Sequence, residues 1–368
     1  MKTSSERRRV WLLSTAHLPH DPRIVGKIAP SLSKHYEVMV LLPRLKANGL
    51  ISIPFFKKVW QRVLVSYPIL LVNFWKIRPH IVHIFVAELL PLAFVFRWFG
   101  AKIIYEVQEN LYKKIPTKAY NRSWWLERLF RFFDHKARKY FWLVFTEDAY
   151  LLSYSQLTMP HTVVHNFADS KWLTLPSPTP DLTRPTFFYA GVVSFERGFD
   201  TLVKAVALLK PHYPQIVVKL FGEKRFNEHQ LQNLANYEGV KDNFQFFGYQ
   251  PQAIAFTHAQ EAVAGLALLK AVGDYPDSYP TKLFDYMALG LPVITSDLPL
   301  LRQVVQSSDC GFCVSATDAV ALADAMRRCI ENPVMLRKMG ENGQKAVVEM
   351  YNWEKEAQKL QKFYEKIV

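Results

Sequence analysis

Short apolar runs alternate with longer amphipathic stretches along almost the whole chain, and this limits it to one class of fold. Residues 10–14, 37–42, 81–85, 102–105, 142–146 and 163–165 read as buried strands. Residues 23–34 and 123–140 read as helices between them. Apolar strands alternating with helices predict a parallel sheet covered on both faces. At Ser170 the texture changes. KWLTLPSPTPDLTRPT carries Pro176, Pro178, Pro180 and Pro185, a linker composition. A second alternating set follows, with strands at 187–190, 216–221, 244–247, 263–268 and 293–295. Its helices are expected at 199–209, 228–236, 282–289, 319–330 and 334–350. The expectation is α/β, with two doubly wound domains at 1–170 and 171–350. Such folds bind ligands at the carboxyl ends of their strands.

The chain has 368 residues, enough for two domains, and a formal net charge of +14. The excess is one-sided. Residues 1–170 carry 25 Lys and Arg against 11 Asp and Glu, whereas 171–368 carry 21 of each. A basic first half suggests an anionic partner. Nucleic acid is not favoured, because no recognition motif accompanies the charge. A membrane surface is favoured. Residues 38–87 contain no Asp or Glu, and Lys57, Lys58, Arg62, Lys76 and Arg78 are interleaved with Phe55, Phe56, Trp60, Leu64 and Trp75. A second run, 121–142, mixes Trp124, Trp125, Phe132 and Phe133 with Arg122, Arg128, Arg131, Arg138 and Lys139. Basic heads on aromatic bodies suit the interface of an anionic leaflet. Cys310, Cys313 and Cys329 form no disulfide framework, and Cys310 and Cys313 lack the second pair or His cluster that a zinc site needs. The start, MKTSSERRRVWLL, has too short an apolar run for a signal peptide. Pro68 and Asn73 interrupt the longest apolar stretch, 63–75. The expected location is cytoplasmic and peripheral, on the inner face of the cell membrane.

The stretch DSYPTKLFDYMALGLPVITSD, residues 277–297, carries the most chemistry. Asp277 and Asp285 stand with seven residues between them. Pro280 and Thr281 lead into a helix that must stop at Gly290 and Pro292. A carboxylate before a helix N-terminus and a second inside it flank an anion site of backbone N–H groups.

This segment resembles the retaining glycosyltransferases of family four, many of which read close to PTKLFEYMALGKPVI, with two Glu seven residues apart. The resemblance begins at HLPHDPRIVGKIAPSLSKHYEVMVL and continues through IIYEVQEN, VVHNFAD and FFYAGVVSFERGFDTLVKAVALL. It ends at YNWEKEAQKLQKFY. It implies a GT-B fold of two Rossmann-like domains facing across a cleft, with a C-terminal helix (351–368) crossing back to the first domain. It implies a nucleotide-sugar donor, UDP- or GDP-linked, and no metal or other cofactor.

Residue by residue, Asp285 takes the position that holds ribose hydroxyls, and Asp277 the one that contacts the donor sugar. Both are one methylene shorter than the family's Glu. Ser278, Tyr279, Thr281 and Lys282 line the same loop. Arg197, in SFERGFDTL, is placed to neutralise the leaving diphosphate. The basic residue that often follows Gly191 is missing, since Val192 stands there; Lys224 or Arg225 could replace it. Glu223 matches a turn near the nucleobase. In the first domain, Gln108 of YEVQEN, beside Glu106 and Glu109, stands where many relatives have His. It can donate a hydrogen bond but cannot shuttle a proton. That fits a front-face mechanism, in which the leaving phosphate takes the acceptor proton. Asp21 and Arg23, flanked by His17 and His20, belong to the acceptor side, with Glu147 and Asn166 at its edge. Arg197, Asp277, Asp21 and Gln108 are thus the candidate catalytic residues. The implied acceptor is a saccharide or lipid-linked saccharide in surface polysaccharide assembly. The alternatives are a sugar epimerase of the same fold and a non-catalytic nucleotide-sugar-binding subunit.

Overall fold

The computed structural model describes residues 7–46, 49–114 and 124–367. Asn121, Arg122, Ser123 and the side chain of Trp124, counted above in the second basic run, lie outside the described residues. The chain divides into two compact units, Met1–Asn166 with Glu354–Val368, and Phe167–Trp353.

The first unit holds six parallel strands: β1 (Arg9–Leu13), β2 (Glu37–Leu41), β3 (Ile81–Ile84), β4 (Lys102–Val107), β5 (Trp142–Phe145) and β6 (His161–Val163). They lie in the order β2-β1-β3-β4-β5-β6. β3, with sequence IVHI, is wholly buried, as a strand covered on both faces must be. The helix expected at 23–34 opens with a turn of π-helix, Ile24–Ile28, before the α-helical Ala29–Ser33. Two helices escape the sequence pattern. Val59–Ile77 runs straight through Pro68, and the Asn73 side chain bonds both backbone groups of Ile51 instead of breaking the helix. Leu90–Trp98 is apolar on nearly all sides, so it shows no helical period. No described helix is long and apolar enough to cross a membrane.

The second unit holds β7 (Thr186–Ala190), β8 (Val217–Phe221), β9 (Phe244–Gly248), β10 (Ala262–Ala267), β11 (Val293–Ser296) and β12 (Gly311–Val314), all parallel. Their order, β12-β11-β10-β7-β8-β9, is the Rossmann order read from the far edge. β12 and the helix Pro299–Ser308 were not anticipated, the strand because it is short and opens on Gly311. Cys313 sits in β12 and Cys310 just before it, both as free thiols. The helix expected at 228–236 is two short pieces, Glu228–Gln232 and Tyr237–Val240. The Pro-rich segment is packed rather than loose. Trp172 lies edge-on to Phe256 with ring centres 4.8 Å apart, and Thr179 N–H donates to Gln260 O.

The C-terminal helix, Trp353–Ile367, belongs to the first unit. Tyr364 Oη lies 2.7 Å from His83 Nδ1, Phe363 packs on Trp142, and Lys102 Nζ donates to Ile367 O. Beneath it lies the unit's one deeply buried ion pair among the described residues that reaches across the sheet. Arg23 Nε donates to Glu106 Oε1 at 2.8 Å, and its Nη2 donates to Val164 O at 2.8 Å. Burial pushes the Glu106 carboxyl up, but Arg23 and His83 outweigh burial and hold it down at about 2.

Glu106→Gln keeps the shape and leaves Arg23 buried without its charge partner, so it should destabilise the protein by about 3–5 kcal/mol at pH 7. The Glu106 pKa is depressed on folding. Its contribution is therefore complete above the ordinary value of 4.5 and lost as pH falls through about 2. Urea unfolding of parent and variant should show the difference shrinking across that window. A constant difference from pH 6 to pH 2 would refute the assignment.

Candidate functional site

In the second unit the order of strands reverses between β7 and β10, and the candidate site lies at their carboxyl ends. The helix Thr281–Ala288 is seated there by one side chain. Tyr286 lies over Gly265 of β10, where a Cβ would come within 2.4 Å of its ring. Its hydroxyl accepts the Ala190 N–H at the end of β7, at 2.8 Å. Pro280 caps this helix without a side-chain hydrogen bond, so its first N–H groups have no cap to bond.

Three predicted residues converge here. The turn after β7 carries Gly191 at φ 135°, and a Cβ on it would meet Arg197 Nη1 at 3.4 Å and Lys282 Nζ at 3.5 Å. Two cations therefore flank the glycine. The second is Lys282, which takes the place left open by Val192. Lys224 does not take it, being exposed, paired with Glu228 at 3.2 Å and lying over Phe246. Arg225 is also exposed.

Lys282 is the unusual group. It is 6% exposed, its Nζ has no hydrogen-bond partner among the described residues, and it sits 3.6 Å from the centre of the Tyr189 ring. Burial, and then the Arg197 charge, push its pKa well below the ordinary lysine value. Arg197 lies over Tyr275 and near Tyr189. The Tyr189 phenol is pushed up to about 12 by burial, so it stays neutral. Tyr189, Tyr275 and Tyr286 thus frame the two cations, and the sequence offered no signal for them beyond apolar patterning.

Asp285, one turn into the helix, is buried, with the Gln252 amide 3.5 Å from its Oδ2. Gln252, at the start of the Gln252–Ala255 helix, was not foreseen. Asp277 and Ser278 sit in the turn before the helix; Asp277 N–H and Ser278 Oγ both donate to Asp274 O. Thr281 is exposed as the first helical residue, while Tyr279 packs on Phe284. Glu223 is exposed and holds the site's edge through its carbonyl, which accepts Val193 N–H at 2.9 Å. Gly222 beside it is irreplaceable, since a Cβ would lie 2.0 Å from Gly191 O.

In the first unit, Asp21 caps a helical turn: its Oδ1 accepts the N–H groups of Arg23 and Ile24 at 3.0 and 2.8 Å. Arg23 is buried on Glu106, and Asn166 accepts a hydrogen bond from Lys27. Glu147 is buried and His20 exposed. Gln108 Nε2 donates to Glu106 Oε1 at 2.7 Å. The amide nitrogen thus faces the carboxylate, and the carbonyl oxygen faces away from it. Gln108 therefore offers an acceptor where the sequence suggested a donor.

Residues 171–346 match the family model described as glycosyl transferases group 1. Among curated relatives, a phosphatidyl-myo-inositol mannosyltransferase of Mycobacterium leprae is 26% identical over 188 residues, 51% of this chain and 48% of that protein. A putative glycosyltransferase EpsD of Bacillus subtilis is 22% identical, over 44% of this chain and 40% of that protein. The aligned part thus spans less than half of these relatives. Among solved structures, sucrose-phosphate synthase from Thermosynechococcus elongatus superposes with a TM-score of 0.75 at 16% identity, covering 98% of this chain and 99% of that one. Anabaena HepE in complex with UDP-glucose does so with 0.70 at 14% identity, covering 98% and 100%. At such identity the likeness shows the fold, which is GT-B.

A buried amine without a hydrogen-bond partner destabilises the ligand-free protein. Lys282→Met should therefore raise its melting temperature, by the equivalent of about 1–3 kcal/mol. Differential scanning calorimetry decides; a lowered melting temperature would mean that Lys282 serves packing.

Proposed function

We propose, from the match of residues 171–346 to the glycosyl transferases group 1 family model, that the chain is a retaining glycosyltransferase using a UDP- or GDP-sugar. The observation that carries this reading is the Lys282 ammonium, buried without a partner beside Arg197 at Gly191. Such a pair suits a ligand that brings its own negative charge, and a diphosphate in front of a helix N-terminus does so. HepE, of the same fold, is described with UDP-glucose. Asp285 then accepts ribose hydroxyls, and Asp277 stands nearer the donor sugar.

In the reaction the bond from the anomeric carbon to the phosphate oxygen breaks, and a bond to an acceptor hydroxyl oxygen forms on the same face. The acceptor proton passes to the departing phosphate. Charge grows on the diphosphate as it leaves, so Arg197, Lys282 and the helix N–H groups act most strongly in the transition state. The acceptor is a saccharide or lipid-linked saccharide, and the protein works on the inner face of the cell membrane.

The surface of the first unit supports that location. On the Val59–Ile77 helix, Trp60, Leu64, Pro68, Val72 and Trp75 are exposed at the spacing of one helical face. Trp75 meets Phe99 with ring centres 4.8 Å apart, and Trp98 beside it is 87% exposed. Trp125, Leu129 and Phe132 form a second exposed stripe on Trp124–Tyr140. Exposed Lys57, Lys58, Lys76 and Arg78 border the first stripe. Arg62, counted with them from sequence, instead turns to Glu88 at 2.7 Å. An apolar stripe edged by cations fits an anionic leaflet.

Three outcomes are expected. UDP or GDP should raise the melting temperature, and Asp285→Ala should abolish the rise; binding unchanged in that variant would refute the ribose assignment. Arg197→Ala should lower kcat about 100-fold with a smaller change in KM. The protein should sediment with vesicles containing anionic lipid and release with salt. Lys57→Glu with Lys58→Glu should weaken this, each lost cation costing about 1 kcal/mol. Equal sedimentation with neutral and anionic vesicles would overturn the membrane reading.

A further inference from the structure

The amine of Lys282 lies where a positive charge is hard to keep. It is buried on the Thr281–Ala288 helix, and its Nζ has no hydrogen-bond partner among the described residues. An ammonium has three donors to satisfy, whereas a neutral amine loses far less by going without. The Tyr189 ring, 3.6 Å away, favours a cation on its face but replaces none of those hydrogen bonds. Across Gly191 stands the Arg197 guanidinium, which keeps its charge at any working pH and repels a second cation. The phenols of Tyr189, on β7, and Tyr286, on the same helix, are both held neutral by burial. Tyr275, in the turn before the helix, lies under Arg197. Asp285, three residues on, has the Gln252 amide 3.5 Å from its Oδ2. Burial, and then Arg197, thus put Lys282 well below the ordinary lysine value in the ligand-free protein.

We propose that Lys282 takes up a proton when a nucleoside diphosphate binds, so that the affinity of the second unit for its donor falls as pH rises. The proposal rests on the transferase reading and adds the regulation of that same site.

A diphosphate reverses the balance at the amine. The position of a Cβ on Gly191 lies 3.4 Å from Arg197 Nη1 and 3.5 Å from Lys282 Nζ, so one ligand atom placed there touches both groups. A phosphate oxygen there gives the amine an acceptor and offsets the repulsion of the guanidinium, and both effects favour the ammonium. Proton and nucleotide therefore bind together, and each raises the affinity for the other. Between the pKa values of the free and the occupied site, the dissociation constant should rise about tenfold per pH unit. A lysine in water would give no such dependence near neutral pH, because it is already charged.

Isothermal titration calorimetry of the full chain with UDP, and with GDP, tests this at pH 8, where a phosphate has lost the proton it holds up to about pH 6. Comparison of HEPES with Tris buffer counts the protons exchanged. The parent should take up about one proton per nucleotide, and Lys282→Met none. A second readout needs no ligand. The unfolded chain keeps the Lys282 proton up to the ordinary value of 10.5, and the folded chain loses it earlier. Folding therefore releases a proton between the two values, and rising pH stabilises the parent. In urea unfolding the stability lead of Lys282→Met should shrink from pH 7 to pH 9.5. No proton uptake by the parent, the same uptake in Lys282→Met, or a lead that does not change with pH would each overturn the proposal. Should the variant bind no nucleotide, the pH course of its lead decides. If neither UDP nor GDP binds the parent at any pH, the transferase reading fails instead, whatever the lead does.

Discussion

The ring of Tyr286 over the bare backbone of Gly265 is the contact on which the second unit's site depends. β10 must carry a glycine there because any Cβ would strike the ring. The ring in turn brings the Thr281–Ala288 helix to the point where the strand order reverses, and its hydroxyl ties that helix to the end of β7. Lys282, one turn earlier on the same helix, is thereby pressed against Tyr189 and Arg197. A packing constraint thus creates an electrostatic one. The Lys282 amine finds no hydrogen-bond partner among the described residues. Strain of this kind persists only where the surrounding contacts over-determine it. Here they do, since all of residues 282–289 are buried.

The alternation of apolar runs was enough to read two parallel sheets, because strands covered on both faces show as continuous apolar segments. It failed where period carries no information. Leu90–Trp98 is apolar all round, and β12 has four residues, one of them glycine. The grouping of Gly191, Arg197 and Lys282 was legible because motifs place each of them at the end of a strand or the start of a helix. The site was not legible where tertiary packing brought in distant residues. Nothing in the sequence around Tyr189, Tyr275 or Gln252 distinguishes it from core or turn. The second cation beside Gly191 is neither Lys224 nor Arg225, the substitutes that the sequence suggests. It came from a residue already counted as part of the helix loop.

The Asp21 and Arg23 pair shows what sequence alone does not reveal. Polar residues after a first strand read as site residues, yet Asp21 caps a turn and Arg23 is buried on Glu106. Their effect on chemistry is indirect. Arg23 helps keep Glu106 ionised, and an ionised Glu106 can only accept hydrogen bonds, so it draws the Gln108 nitrogen inward. A structural ion pair thereby sets which atom a neighbouring amide turns away from the carboxylate.

The two units solve opposite electrostatic problems with the same sheet architecture. In the second unit the candidate groups lie where the strand order reverses. The cations there have no counter-ion among the described residues, which costs stability in the ligand-free protein. In the first unit buried charges pair within the fold: Arg23 on Glu106, Arg62 on Glu88 and Arg138 on Asp134. Paired charges give direction without net field. The distribution of unpaired charge is what separates the two units, and only the positions of side chains in the fold, not their count in the sequence, reveal it.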